Sequence, residues 1–244
     1  MHQDRGVTGL QVGLIVLSAV LGGGVQATLG FGASFIMVPV VAVISPEAVP
    51  ASVLVGLLPV TIQVAWRDRA AIDRSAFLRI TAGRIPGTVA GTAVVALAPP
   101  RVLILVIAGV LLLAVAATAA GLKVRTTTTS QVVSGVASGF TGTAAALGGP
   151  PLALLYRDAT GANRRGTLSA IFAFGIIFGL ASLAVAGEFD TGDLATGVWL
   201  GVSLVAGAVL AAPLVRRFSD EWLRRAVLIW AAVGAVTALI RAFV

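Results

Sequence analysis

The sequence predicts an all-α polytopic membrane protein made of two inverted repeats, each a glycine-broken helical hairpin followed by three transmembrane helices. Composition is the first ground. Of 244 residues, 58% are hydrophobic and only 11% charged, with mean hydropathy +1.02, too little charge to cover a soluble surface. The second ground is a series of apolar runs, several of them near the roughly 20 residues that a helical crossing needs. The third is a pair of glycine-rich interruptions, one in each half. A shift of 118 residues places Gly24 on Gly142, Leu29 on Leu147 and Gly30 on Gly148. Lipid tolerates broken helices only where protein or a wet cavity covers the freed backbone. Matched breaks in two halves point to a binding site between them.

The elements follow in order. Runs 8–28 and 31–45 form the first hairpin, with Gly30-Phe31-Gly32 at its tip. Runs 50–66, 82–98 and 102–121 are the next three crossings, the last two joined at Pro99-Pro100-Arg101. Runs 130–147 and 149–156 form the second hairpin around Leu147-Gly148-Gly149-Pro150. Its return arm is too short to span, so this hairpin reads as re-entrant. Runs 167–186, 194–214 and 226–243 complete the chain. The repeats are therefore 1–124 and 125–244, within one integral membrane domain. Gly83, Gly87 and Gly91 fall on Ser203, Gly207 and Ala211 at a shift of 120. Small residues at every fourth position let helices approach closely, so this stripe reads as scaffold.

A net charge of +7 resembles that of a nucleic-acid binder, but the bases sit in short strips between apolar runs with few aromatics among them. They read as cytoplasmic loops under the positive-inside rule. The strips hold Arg67, Arg69, Arg74, Arg79 and Arg84 against Asp68 and Asp73, then Lys123 and Arg125, then Arg157, Arg164 and Arg165, then Arg216, Arg217, Arg224 and Arg225. The 187–193 loop holds Glu188, Asp190 and Asp193 and no base. This places the chain in a bacterial cytoplasmic membrane.

No enzyme constellation is present. There is no cysteine, and His2 is the one histidine. No Asp or Glu lies inside an apolar run, and no Ser or Thr there has a His or Lys partner for nucleophilic catalysis. No cofactor, metal or nucleic acid is expected; the partners are the lipid bilayer and a small anionic substrate. A broken helix aims free N–H groups and a positive dipole end at the break, and glycine lets an anion reach them. The substrate-binding candidates are Gly24, Gln26, Thr28, Gly30, Phe31, Gly32 and Ser34 in the first hairpin. In the second they are Thr141, Thr143, Gly148, Gly149 and Pro150. Ser and Thr here have the competing option of bonding their own helix. Gln63, with Thr61 nearby, and Arg84 are pathway candidates. Arg84 opens run 82–98, where it either snorkels to the interface or attracts anions at the inner mouth.

These residues carry a resemblance. Gly23-Gly24 through Gly30-Phe31-Gly32 with Pro39, and Ser134-Gly135 through Gly139, Gly142 and Gly148-Gly149-Pro150, resemble the TauE/SafE (TSUP) family of sulfite exporters, as does Arg84-Ile85-Pro86-Gly87-Thr88 with Gly91. The resemblance covers nearly the whole chain. It implies transport of small sulfur-containing anions such as sulfite or organosulfonates. The expected mechanism is alternating access around a midplane site between the hairpins, in a secondary transporter that exports. An anion channel and a non-transporting scaffold are the alternatives. Coupling is open between uniport and proton coupling through the substrate's own protonation.

The topology is testable because the chain has no native cysteine. Single cysteines replacing Arg74, Lys123 and Arg217 are expected to label from the cytoplasm, and one replacing Asp190 from outside. Labelling of positions 74 and 190 from the same side removes the arrangement.

Overall fold

The computed structural model describes residues 8–120, 124–156, 159, 161–215 and 217–243. It is 86% helical, with no strand among the described residues. Lys123, Arg157 and His2 lie outside the described residues.

Helix α1 (Gly9–Leu29) opens with a Thr8/Gln11 capping box and stops at Gly30, whose φ of 83° is left-handed. Helix α2 (Ala33–Ile44) restarts from Gly32, also left-handed at φ 112°. Two consecutive turns of this hand around Phe31 need glycine. Then come α3 (Ala51–Arg67), α4 (Arg74–Leu97) and α5 (Pro100–Ala119). In the second half, α6 (Thr128–Ala145) ends at Ala146 with φ 54°, and α7 (Gly149–Leu155) starts from Gly148. Helices α8 (Gly161–Ala186), α9 (Thr191–Leu210), the single turn α10 (Ala212–Val215) and α11 (Asp220–Phe243) complete the chain. Helices α1, α4, α8 and α9 are long and apolar enough to cross a membrane. The second return arm is short, as the sequence requires, and α2 is also too short to span.

Three expected starts move. Helix α4 begins at Arg74 and not near residue 82, because Asp73 caps it by accepting from the Ala76 N–H at 3.0 Å. Helix α8 begins at Gly161 and not near residue 167, and α11 begins at Asp220 and not near residue 226. In all three, charged residues in the first turns hide the helix from a hydropathy reading.

The register between the halves is also corrected. The left-handed caps are Gly30 and Ala146, and the restart residues are Gly32 and Gly148, so the hairpins match at a shift of 116 and not 118. Aligning glycine on glycine slipped because the second left-handed cap is an alanine.

Packing follows the same pairing. A Cβ on Gly139 of α6 would fall on the Arg84 carbonyl oxygen of α4, and one on Gly87 would fall on the Val136 carbonyl oxygen. A Cβ on Gly23 of α1 would fall on the Leu204 carbonyl oxygen of α9, and one on Gly207 would fall on the Val20 carbonyl oxygen. These are the same contacts made twice, at shifts of 116 for α1/α6 and 120 for α4/α9. The first helix of each half lies bare-backboned on the fourth helix of the other. Gly83, Gly87 and Gly91 all face α6 in this way, so the stripe is scaffold as expected. Helix α3 packs on α8 and α9, while α5 and α11 pair with each other.

The polarity is that of a membrane protein. Leu10, Leu97, Leu113, Val185, Trp199, Val202 and Leu210 face outward, while Gln26, Arg84, Thr88, Gln131, Ser138 and Thr143 are buried. In water such an apolar exterior would drive aggregation; in lipid it is the solvated face.

Gly139→Ala is expected to destabilise the protein by about 1–3 kcal/mol through overpacking, and Gly87→Leu to prevent assembly. Gly13→Ala, with nothing within 4 Å of its Cβ position, should behave like the parent. Monodispersity and melting temperature in detergent read all three.

Candidate functional site

The two breaks meet. A Cβ on Gly149, the first residue of α7, would lie 3.0 Å from Phe35 and 3.9 Å from Phe31 of the first hairpin. Between the tips is a cavity of ≈ 40 Å³, against about 10–15 Å³ for one water. Its lining comes from both breaks, α3, α4, α6 and α8.

Arg84 supplies its charge. Ten residues into α4, it lies about 15 Å along the helix from Arg74 at 1.5 Å per residue, and it is 3% exposed. The snorkelling reading is therefore wrong: the helix starts earlier than hydropathy suggests, so Arg84 sits mid-helix facing the second break. Three glycines make room for it. A Cβ on Gly142 would be 3.1 Å from its Nη2, one on Gly148 would be 3.3 Å from its Nη1, and one on Gly175 would overlap the guanidinium. Arg84 Nη1 donates to Ser138 Oγ at 2.6 Å, and Ser138 Oγ donates to the Gly148 carbonyl at 2.6 Å. The guanidinium carbon lies 5.8 Å from the centre of the Phe172 ring. Arg84 Nε has no partner, and no carboxylate pairs with Arg84 among the described residues.

This cation is incompletely compensated. A hydrogen bond to a charged group contributes about 1.5–3 kcal/mol and a desolvated cation–π contact about 2 kcal/mol. The effective desolvation penalty of a buried ion is several kcal/mol. Helix α7 cannot substitute for it as a donor, because Pro150 and Pro151 remove two N–H groups from its first turn.

The first break is stitched by Gln26. Its Nε2 donates to the Gly30 carbonyl at 3.3 Å, and its Oε1 accepts from the Ala33 N–H at 3.4 Å. Ser169 Oγ of α8 also donates to the Gly30 carbonyl, at 3.3 Å.

Of the residues expected at the site, Gln26, Phe31, Gly32, Ser34, Gly148, Gly149 and Arg84 line the cavity. The others do not. Thr28 and Thr141 donate to Gly24 and Ala137 in their own helices, both at 2.9 Å. Gly24 packs against Ala211 and Val215, and Thr143 against Gly91 and Gly179. Gly30 touches α8: a Cβ there would be 2.6 Å from Arg165 Cα, so it serves the turn and the helix contact. Pro150 starts α7 outside the lining. Gln63 is exposed, and its neighbour Thr61 lines the cavity while donating to the Leu57 carbonyl at 2.6 Å. Sequence reasoning missed Ser138, Gly142, Gly175, Leu54, Leu57, Phe172 and Ile176. Ser134, Ser138 and Gly142 recur every fourth residue, which was the available signal for the first two.

Helix α3 links the cavity to both ends of the molecule. Beyond its start lies an open vestibule of ≈ 560 Å³ lined by Glu47, Asp190 and Asp193 among others; Ser52 Oγ donates to Asp193 Oδ1 at 2.7 Å. At its end Asp68 accepts from Arg165 Nε at 2.9 Å and from Arg67 Nη2 at 3.2 Å. Arg67 Nη2 also donates to the Ala27 carbonyl at 3.1 Å. This clasp fastens the ends of α1 and α3 to the start of α8. Burial pushes the Asp68 carboxyl up, but hydrogen bonds and charge from Arg67 and Arg165 outweigh it and hold the group below the ordinary carboxylate range.

The architecture defines a multi-pass helical membrane protein in which Arg84 is buried between two broken hairpins and meets no carboxylate among the described residues. Residues 15–238 match the family described as Sulfite exporter TauE/SafE, and the chain belongs to that family. It is a family of membrane transporters for sulfite-type anions. Neither the curated proteins nor the solved structures give a significant match.

Asp68 has a pH signature. Its folded pKa is depressed, so its stabilisation is present above the unfolded value of about 3.9 and is lost as pH falls through the folded value. Asp68→Asn should destabilise the protein at neutral pH by roughly 1–3 kcal/mol. It should also narrow the stability gap to the parent on acidification, as read by melting curves across pH.

Proposed function

We propose that the chain is a secondary transporter that exports small sulfur-containing anions such as sulfite or organosulfonates, and that Arg84 holds the anion in the cavity between the hairpins. The observation that carries this is the buried guanidinium with a free Nε and no carboxylate. An anion in the cavity supplies what the fold leaves out, and its oxygens suit the guanidinium's planar fork. Export fits the membrane potential, because one negative charge leaving across 100 mV releases about 2.3 kcal/mol.

In this reading units 1–124 and 125–244 are inverted repeats that rock against each other, and the doubled glycine–carbonyl contacts support that pairing. The Asp68–Arg165–Arg67 clasp closes the basic, cytoplasmic end, while the acidic vestibule lies toward the outside. Access alternates as the clasp opens and the vestibule side closes.

Arg84→Met separates a binding role from a structural one. A structural arginine would lower the melting temperature of the ligand-free protein when removed. A binding arginine leaves it equal or higher, since the variant no longer buries an uncompensated charge. The expected outcome is an unchanged or raised melting temperature and loss of the shift induced by sulfite or methanesulfonate. Truncating one partner of a buried charge pair costs about 2–5 kcal/mol, so affinity should fall by roughly 30-fold or more. Parent-like binding and transport by Arg84→Met would place the site elsewhere.

A further inference from the structure

Arg84 has a counterpart in the other half, and it is not an arginine. The shift of 120 that superposes the glycine contacts of α4 and α9 puts Leu204 where Arg84 stands, and the shift of 116 puts Gly22 where Ser138 stands. A cavity built between two alike halves would have held two cations had both been equipped alike. It holds one. Its other polar lining residues are neutral, namely Gln26, Ser34 and Thr61, and its walls include Leu54, Phe172 and Ile176.

We infer that this site takes its substrate only as a monoanion, a sulfonate R–SO3− or hydrogensulfite, and refuses sulfite and sulfate dianions. The inference rests on the anion-transport reading above and adds the charge state. One guanidinium neutralises one negative charge. A dianion would leave a second charge unpaired in an apolar enclosure, where isolated ions are strongly disfavoured. The fork offers a single unpaired edge: Nη1 donates to Ser138, Nε has no partner, and Nη2 lies between the bare backbones of Gly142 and Gly175.

The charge state also sets the coupling. Hydrogensulfite carries its proton through the site on its own oxygen or sulfur, so no protein carboxylate is needed in the pathway. Among the cavity lining from α1, α2, α3, α6, α7 and α8, no residue titrates near neutrality. On the packed helices the charged groups are Arg67 at the end of α3, Arg74 and Arg79 of α4, the latter bonded to Gln131 at 3.2 Å, and Arg164 and Arg165 of α8. All lie at least a turn from the cavity residues of their helices. The pH dependence of sulfite transport therefore belongs to the substrate.

The test uses the full chain in proteoliposomes, with equal pH on both sides, clamped potential and protein-free vesicles subtracted. Initial uptake is measured for total sulfite and for methanesulfonate, a permanent monoanion, at about pH 6 and about pH 8. Hydrogensulfite loses its proton near neutrality, so its share falls from about nine-tenths to about one-tenth across this window. The sulfite-to-methanesulfonate ratio should fall roughly tenfold, and excess sulfate should not inhibit methanesulfonate uptake. A flat or rising ratio, or sulfate competing as well as hydrogensulfite, overturns the monoanion inference and leaves anion transport standing. Uptake of neither anion at either pH removes both.

Discussion

The structure depends on a contact in which helix backbones touch with no side chain between them. Helix α6 lies against α4, and α1 against α9, with glycine Cα atoms set on carbonyl oxygens of the partner. Such Cα–H···O contacts contribute about 0.5–1 kcal/mol each, but their main effect is positional. Because Gly139 rests on the Arg84 carbonyl, the Arg84 side chain begins beside α6. It therefore reaches Ser138, Gly142 and Gly148 without leaving the plane between the helices. A methyl group at that contact would push α4 outward, and the 2.6 Å bond to Ser138 would be the first interaction lost.

That geometry concentrates an electrostatic cost at one point. The exterior is apolar, the ends carry opposite charge, and the centre holds a cation whose partners are a hydroxyl and an aromatic ring. The ligand-free protein is thus less stable than an apolar equivalent would be, and the deficit is localised where two hairpins and three long helices converge. In the proposed cycle, relief of this deficit contributes to anion affinity, and the same convergence lets occupancy of one small cavity bear on the packing of both halves. The Asp68 clasp is the opposite case, a carboxylate with two arginine partners, and it fastens the ends of α1 and α3 to the start of α8.

Much of this was legible in the chain. Composition and run length gave the membrane class, and the glycine clusters gave both breaks. The four-residue stripe at Gly83, Gly87 and Gly91 gave the close packing of α4. What failed did so for physical reasons. Hydropathy discounts arginine, so α4 was started late and its central cation was assigned to an interface. Glycine marks a helix break in a sequence and alanine does not, so the left-handed Ala146 is invisible there and a glycine-on-glycine register is off by two. Hydroxyls near a break were counted as ligand donors, although Thr28 and Thr141 satisfy themselves one turn back. Thr61 and Gln63 are two residues apart and face different surroundings, a distinction that needs the helix phase and not the residue type. Ser138 acts through the carbonyl of Gly148, ten residues away, a relation visible only once the hairpin is folded.

The unequal equipment of the two halves has an evolutionary consequence. Arg84, Ser138 and the Gly148 carbonyl form one connected set, carried by α4, α6 and the second break. Gln26, Phe31 and Ser34 sit across the cavity on α1, the first break and α2, where Gln26 bonds to Gly30 and Ala33 of its own hairpin. In the proposed transporter, changes in the first group would alter whether a negative charge is held at all. Changes in the second would alter the shape and wetness of the opposite wall while the charge stays in place. On the proposed repeat reading, a frame whose copies have diverged in this way would separate the retention of an ion class from the choice among its members. The first hairpin would then be the segment on which related chains drift toward new substrates without passing through an inactive intermediate.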